Sequence, residues 1–197
     1  MDAVIIDSGG ANLASLQFAF ERLGARARVS TDAQTIMSAP RVVLPGVGAA
    51  ADAMQRLRNS GVAALLPRLE QPVLGICLGM QLLFSRSEEG STDCLGILPG
   101  TVQRLKAAPG LPVPHMGWNQ LARLRDDPLL EGISADQYVY FVHSYAAPVC
   151  ATTLATTEYG IAVAAVVRKD NFWGAQFHPE RSAAPGARLL ANFLRLE

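Results

Sequence analysis

The chain has 197 residues, 50% of them hydrophobic and 17% charged, and its 17 basic and 17 acidic side chains leave no formal net charge. Without a basic run, nucleic-acid binding has no electrostatic footing, and no apolar stretch approaches the roughly 18–20 residues that span a membrane. Three widely spaced cysteines and three dispersed histidines, with no Cys-x-x-Cys pair, exclude a disulfide scaffold and leave no ligand cluster for a metal, so neither a metal nor a cofactor is expected.

In chain order, Ala3–Asp7 reads as a first strand, close enough to the first residue to leave no room for a signal peptide, which points to the cytoplasm. Asn12 can cap a helix with Leu13, Leu16, Phe20 and Leu23 on one face, stopped by Gly24. Ala25–Ser30 and Arg41–Pro45 read as the next strands. Helical stretches follow at Ala51–Asn59 and Val62–Leu69, with Gly61 between them. The strand Val73–Cys77 then runs into a helix predicted over Leu78–Ser85. This alternation predicts a parallel sheet with helices on both faces, and ligands in such sheets bind beyond the carboxyl ends of the strands.

The second half changes character. Gly96–Leu105, Met116–Leu121, Tyr138–His143, Thr152–Thr157 and Ile161–Arg168 read as short strands divided by Gly, Pro and Asp, hence antiparallel hairpins added to one edge. A further strand at Phe172–Phe177 and a last amphipathic helix opened by Pro185 complete a mixed, mostly parallel open sheet. At this length the whole chain, 1–197, is expected to form one domain burying roughly 70% of its unfolded surface.

Two motifs carry chemistry. Gly75-Ile-Cys77-Leu-Gly79 is a Gly-x-Cys-x-Gly turn between an apolar strand and an apolar helix, the cysteine form of a nucleophile elbow. The glycines remove Cβ atoms where strand and helix crowd, so Cys77 can hold a strained backbone and present its sulfur to the helix N-terminus, which favours the thiolate. Near the C-terminus, Pro179 biases His178 toward extended backbone. Positions two apart then share a side, so Glu180 can orient one imidazole nitrogen and leave the other for the thiol. Attack on an amide also needs oxyanion donors. Leu78 N–H follows the nucleophile, and Pro45–Gly48 ends the neighbouring strand with two flexible glycines.

Gly-Ile-Cys77-Leu-Gly-Met-Gln81 together with Phe-His178-Pro-Glu180 resembles the class I glutamine amidotransferases, and the resemblance runs from Ile5 to the C-terminal helix. Within that family, Pro45–Gly48, Pro114–Asn119 and Tyr140–Tyr145 resemble the glutaminase branch that serves histidine biosynthesis. Two segments depart from the family pattern. Ser8 and Ala11 stand where an aromatic and a glycine are usual, and Arg181 where lysine is usual.

The resemblance implies a flavodoxin-like α/β fold and hydrolysis of L-glutamine by a Cys77, His178, Glu180 triad. It implies an oxyanion hole from Leu78 with Val47 and Gly48, and substrate contacts from Gly46, Gln81, Ser144 and Tyr145. The ammonia would pass to a (β/α)₈ cyclase in a heterodimer that makes imidazole glycerol phosphate and an aminoimidazole carboxamide ribotide. Asn12, Trp118, Asn119 and Arg181 would face that partner, although Trp118 also suits core packing. His115 and His143 read as structural. Two alternatives stay open: another class I glutaminase, such as one feeding pyridoxal phosphate synthesis, or a non-catalytic thiol-bearing binding module.

Overall fold

The computed structural model describes residues 1–9, 13–123 and 125–197, so the expected Asn12 cap and partner contact, and Ala11, lie outside the described residues. The first half alternates strand and helix: β1 (Ala3–Ile6), α1 (Leu13–Arg22), β2 (Ala27–Ser30), α2 (Ala33–Met37), β3 (Val42–Leu44) and α3 (Ala50–Asn59). Then come α4 (Val62–Leu65), β4 (Val73–Ile76), α5 (Leu78–Leu82), β5 (Phe84–Ser87), β6 (Thr92–Asp93) and β7 (Leu98–Arg104). The remainder is β8 (His115–Gln120), β9 (Ala122–Arg123), β10 (Tyr138–His143), β11 (Tyr145–Ala146), β12 (Thr153–Glu158), β13 (Ala162–Lys169), β14 (Phe172–Ala175) and α6 (Ala183–Phe193).

The main sheet has eight strands in the order β2-β1-β3-β4-β14-β13-β12-β9. The pairings from β2 to β14 are parallel and those from β14 to β9 antiparallel. β1, β3, β4 and β14 are buried at every position, as strands covered on both faces must be. Alternation sorts their side chains into two cores. Val4, Ile6, Val42, Leu44 and Val73 pack with Ile36 of α2 and with Met54 and Leu57 of α3. Ile5, Val43, Leu74 and Ile76 pack with Leu16 and Phe20 of α1 and with Leu189, Leu190 and Phe193 of α6. Helices therefore cover both faces, as the sequence predicts.

Three expectations are corrected. The helix after Cys77 stops at Leu82, and Phe84–Ser87 is a strand of a separate four-stranded sheet, β11-β7-β5-β6. Only β12, β13 and β9 extend the edge of the main sheet; β8 and β10 form a two-stranded ribbon of their own. The last helix begins at Ala183, two residues before Pro185, which sits in its first turn, where a missing N–H costs nothing.

Close approach of backbone fixes the centre of the molecule. A Cβ on Gly79 would collide with the Leu44 carbonyl, and one on Gly46 would lie 2.7 Å from Gly79 N. The elbow and the loop after β3 therefore touch through bare backbone, which joins two adjacent strand ends into one crevice.

Candidate active site

Cys77 continues the β4–β14 ladder, its N–H donating to Ala175 O at 2.8 Å, and then departs from it at φ +53°, ψ −112°. Such a backbone is rare for a residue with a side chain and persists only where its surroundings over-determine it. Gly75 and Gly79 are those surroundings, since a Cβ on Gly75 would lie 2.7 Å from Gly79 O. The sulfur points into a cavity of about 600 Å³ at the carboxyl ends of β3 and β4, lined by Gly46, Val47, Gly48, Cys77, Leu78 and Gln81 on one side. Ser15, Glu89, Pro114, Val142, His143, Ser144, Tyr145, His178 and Arg181 line the rest of it.

His178 reaches the same cavity from just beyond the carboxyl end of β14. Its backbone is extended (φ −95°, ψ 99°), as the residue before a proline should be. Glu180 is not on the extended strand that the spacing suggested. It sits in a 3₁₀ turn, Pro179–Arg181, which folds its carboxylate back so that His178 Nδ1 donates to Glu180 Oε1 at 2.8 Å. Burial works against a charged imidazole, but hydrogen bonds and charge attraction from Cys77 and Glu180 outweigh it and raise the pKa of His178 to about 10. Cys77 Sγ lies 3.7 Å from Val142 O, an acceptor for its proton while it is a thiol.

The loop after β3 carries Gly48 at φ +89°, a conformation that favours glycine. Leu78 is the first residue of α5, so its N–H has no acceptor within the helix and is available to a ligand. Ser8, at the position where an aromatic is usual, is buried and donates from Oγ to Pro45 O at 2.9 Å, anchoring the start of that loop.

Gln81 lies on the cavity wall, yet its Nε2 is committed to Tyr145 O at 2.7 Å and Gln176 Oε1 at 2.9 Å, which leaves Oε1 for a ligand. The Ser144 carbonyl accepts from Leu105 N, and the Tyr145 carbonyl accepts from Gln81 and from His143 Nδ1. Any substrate contact from this strip therefore falls to its other atoms. His115 and His143 are buried and hydrogen-bonded to each other at 3.0 Å, and burial pushes the pKa of each down to about 4.

Of the residues expected to face a partner, Trp118 is 52% exposed and stands edge-on to Tyr140, with ring centroids 6.0 Å apart. It does not join the core. The guanidinium of Arg181 lies 5.7 Å from the centre of the Tyr140 ring. Asn119 turns inward, bonding Glu158 O at 2.8 Å and His115 Nε2 at 3.3 Å. Two residues of the site escaped sequence reasoning. Glu89 adds a carboxylate to the wall and accepts from Ala50 N at 2.8 Å, a pairing across 39 residues that no local pattern signals. Gln176 is fully buried, and its signal was visible as the one polar side chain inside the apolar run Phe172–Phe177.

No cluster of three or more His, Cys, Asp or Glu that could hold a metal occurs among the described residues, and no helix there is long and apolar enough to cross a membrane. A strained cysteine at a strand–helix elbow facing a carboxylate-oriented histidine is the working set of a thiol amidase. Residues 4–196 match the class I glutamine amidotransferase family, and the chain belongs to it; it is a glutamine-hydrolysing enzyme. It is 56% identical over 195 residues to the imidazole glycerol phosphate synthase subunit HisH of Xanthomonas campestris pv. campestris strain 8004, covering 99% of this chain and 98% of that one. It is likewise 52% identical over 196 residues to the HisH subunit of Xylella fastidiosa strain Temecula1, covering 100% and 98%. Among solved structures, PurLQS from Thermotoga maritima superposes with a TM-score of 0.73 at 18% identity, over 98% of this chain and 96% of that one, a likeness of fold.

Proposed function

We propose that residues 1–197 act as a single glutaminase domain whose Cys77, His178 and Glu180 hydrolyse L-glutamine and release ammonia to a cyclase subunit. The observation that carries this reading is the pairing of Cys77 at φ +53° with His178, itself held by Glu180 at 2.8 Å, across one cavity.

The reaction follows from the electrostatics. The Cys77 sulfur adds to the side-chain amide carbon of glutamine, and the resulting oxyanion faces Leu78 N–H and the Val47–Gly48 peptides. His178 gives its proton to the amide nitrogen, the C–N bond breaks, and ammonia leaves a γ-glutamyl thioester. Acylation removes the thiolate that helped hold the imidazolium, so burial then pulls His178 toward the neutral form. As a base it takes a proton from water, which attacks the thioester. Collapse expels the sulfur and restores the starting state, with glutamate as product. One histidine thus serves as acid and base because its partner's charge changes between the steps.

For substrate, the Glu89 carboxylate supplies charge for an α-ammonium group, and Gln81 Oε1 supplies an acceptor. For the partner, the outward face of the β8–β10 ribbon carries Met116, Trp118 and Tyr138, 67%, 52% and 53% exposed. An aromatic face beside Arg181 at the cavity mouth suits a protein interface rather than solvent. The HisH relatives are named as subunits of imidazole glycerol phosphate synthase, so a (β/α)₈ cyclase seated on that face, in the cytoplasm, is the assembly proposed. The test is co-expression with the candidate cyclase and a glutamine-dependent assay of imidazole glycerol phosphate formation. The reading fails if the complex forms and uses only free ammonium.

A further inference from the structure

The amide of Gln176 is oriented by a chain of hydrogen bonds that begins at an atom of fixed chemistry. The Tyr145 carbonyl can only accept, and Gln81 Nε2 lies 2.7 Å from it, so the nitrogen of the Gln81 amide faces Tyr145. That same nitrogen is 2.9 Å from Gln176, so the atom facing it must be the Gln176 oxygen. The Gln176 nitrogen therefore points to Cys77 Sγ, 3.8 Å away. Turning the Gln176 amide over would set two N–H groups against each other in a fully buried site.

The rest of the network agrees. His143 Nδ1 must also donate to Tyr145 O, at 2.8 Å, which makes its Nε2 the acceptor for His115 Nδ1 at 3.0 Å. His115 Nε2 in turn accepts from Asn119 Nδ2 at 3.3 Å. Every group from Asn119 to Cys77 has one consistent assignment with both histidines neutral.

We propose that Gln176 is a positioning residue for this reaction: its Nε2–H holds the Cys77 sulfur while its Oε1 holds Gln81, so one buried amide sets both the nucleophile and a wall residue that meets substrate. Gln176 is absent from the cavity wall and reaches substrate only through these two neighbours. The sulfur lies between Val142 O, an acceptor for the thiol proton, and Gln176 N–H, a donor to the thiolate. The inference rests on Cys77 being the nucleophile.

The experiment is alkylation of the whole chain by iodoacetamide from pH 5 to 9, with Cys77 followed by peptide mass and Cys94 and Cys150 as internal controls. In Gln176→Met, which keeps length but loses the donor, Cys77 alkylation near pH 6 should fall about tenfold, as expected for a hydrogen bond to a charged acceptor, and its profile should shift to higher pH. The isosteric Gln176→Glu, which still accepts from Gln81 but turns an oxygen to the sulfur, should slow at least as much and covers the case where the methionine variant does not fold. With the partner bound, both should lose kcat; KM should hold in Gln176→Glu, which still accepts from Gln81, and rise in Gln176→Met, which does not, as it should in Gln81→Leu. A folded variant with the wild-type Cys77 profile overturns the proposal. Alkylation needs no turnover, so failure of the glutaminase reading, seen as retained activity in Cys77→Ala, is distinguishable from failure of this one.

Discussion

Tyr140 and His178 hold each other through their backbones. His178 N–H donates to Tyr140 O at 2.9 Å, and Ser182 Oγ closes the ring by accepting from Tyr140 N at 2.9 Å and donating to His178 O at 2.7 Å. The ring of Tyr140 meets Trp118 and Arg181 on the outer face, while its main chain grips the histidine that faces Cys77. A partner pressing on that face, as proposed, would sit one residue from the histidine proposed as the acid–base group. Ser182→Ala leaves the half-buried Tyr140 N–H without its acceptor and should cost about 1 kcal/mol of stability. Loosening His178 should also lower kcat by roughly tenfold with a smaller change in KM, since transition-state alignment is what is lost. Urea unfolding and single-turnover kinetics on the complex would check both; wild-type kcat would remove the link.

Cys77→Ala should reduce glutamine-dependent turnover on the order of 10⁴-fold or more, while the complex still works with added ammonium. His178→Ala should be almost as damaging, because the other histidine of the cavity, His143, has both ring nitrogens committed, to Tyr145 O and to His115. Glu180→Ala should be milder: an orienter is the more dispensable member, although removing it leaves the His178 Nδ1–H unpaired. Comparing glutamine and ammonium as nitrogen sources in the same assay separates loss of glutaminase from loss of folding.

Gly79→Ala tests the packing on which the elbow depends. The new Cβ would meet backbone, the Leu44 carbonyl, which cannot step aside as a flexible side chain could. A loss of roughly 3 kcal/mol or more, or failure to accumulate as folded protein, is expected. Stability within about 1 kcal/mol of wild type, read from denaturant midpoints, would mean that strand and helix are not locked as described.

How much of this was legible beforehand depends on whether the signal was local. The elbow at Cys77 was, because Gly75 and Gly79 report close backbone approach directly. The link between His178 and Glu180 was visible in the spacing, but its geometry was not: Pro179 starts a 3₁₀ turn where an extended strand was expected. The end of the helix after Cys77 was unreadable because Leu78–Phe84 is buried throughout, so no periodicity marks the change from helix to strand. The helix Ala33–Met37 went unseen because it is five residues long and buries one side chain, Ile36. Its cap, Asp32 accepting from Thr35 N at 2.8 Å, was its one signal. Glu89 and the orientation of Gln176 are long-range facts that arise only when distant segments meet.

The buried histidine pair sets an acid limit. Burial holds His115 and His143 neutral, with pKa values of about 4 against an ordinary 6.5, and the charge of neighbouring His115 and His178 also weighs against protonating His143. Above about pH 6.5 folded and unfolded chains bind the same protons at these sites. As pH falls from there toward about 4 the unfolded chain takes them up first, so stability is lost across that window. Urea midpoints should decline from pH 6.5 to 4, and the ring C–H resonances of both histidines should titrate near the lower value. A resonance of either titrating near 6.5 would contradict the neutral chain from Asn119 to Cys77.

Coupling to the partner is expected to turn on Gly48. Free ammonia is wasteful, and the exposed aromatic face beside the cavity is where the proposed partner would act on it. Gly48 holds φ +89°, and a Cβ there would meet open space, so the restriction on this residue is conformational rather than steric. A loop so placed can turn a peptide N–H toward or away from the oxyanion at modest cost. The isolated chain should therefore show weak glutaminase activity, rising strongly when the cyclase and its nucleotide ligand are bound. A misaimed oxyanion donor costs roughly 10²–10³-fold in rate, so stimulation of at least that order is expected. Gly48→Val adds a Cβ that meets open space but resists the positive φ, and it should blunt the stimulation while leaving partner affinity near wild type. Affinity by titration calorimetry and initial rates with and without partner separate the two effects. If the purified chain is already fully active, or if Gly48→Val is stimulated as strongly as wild type, then the loop after β3 is preset and the control lies elsewhere.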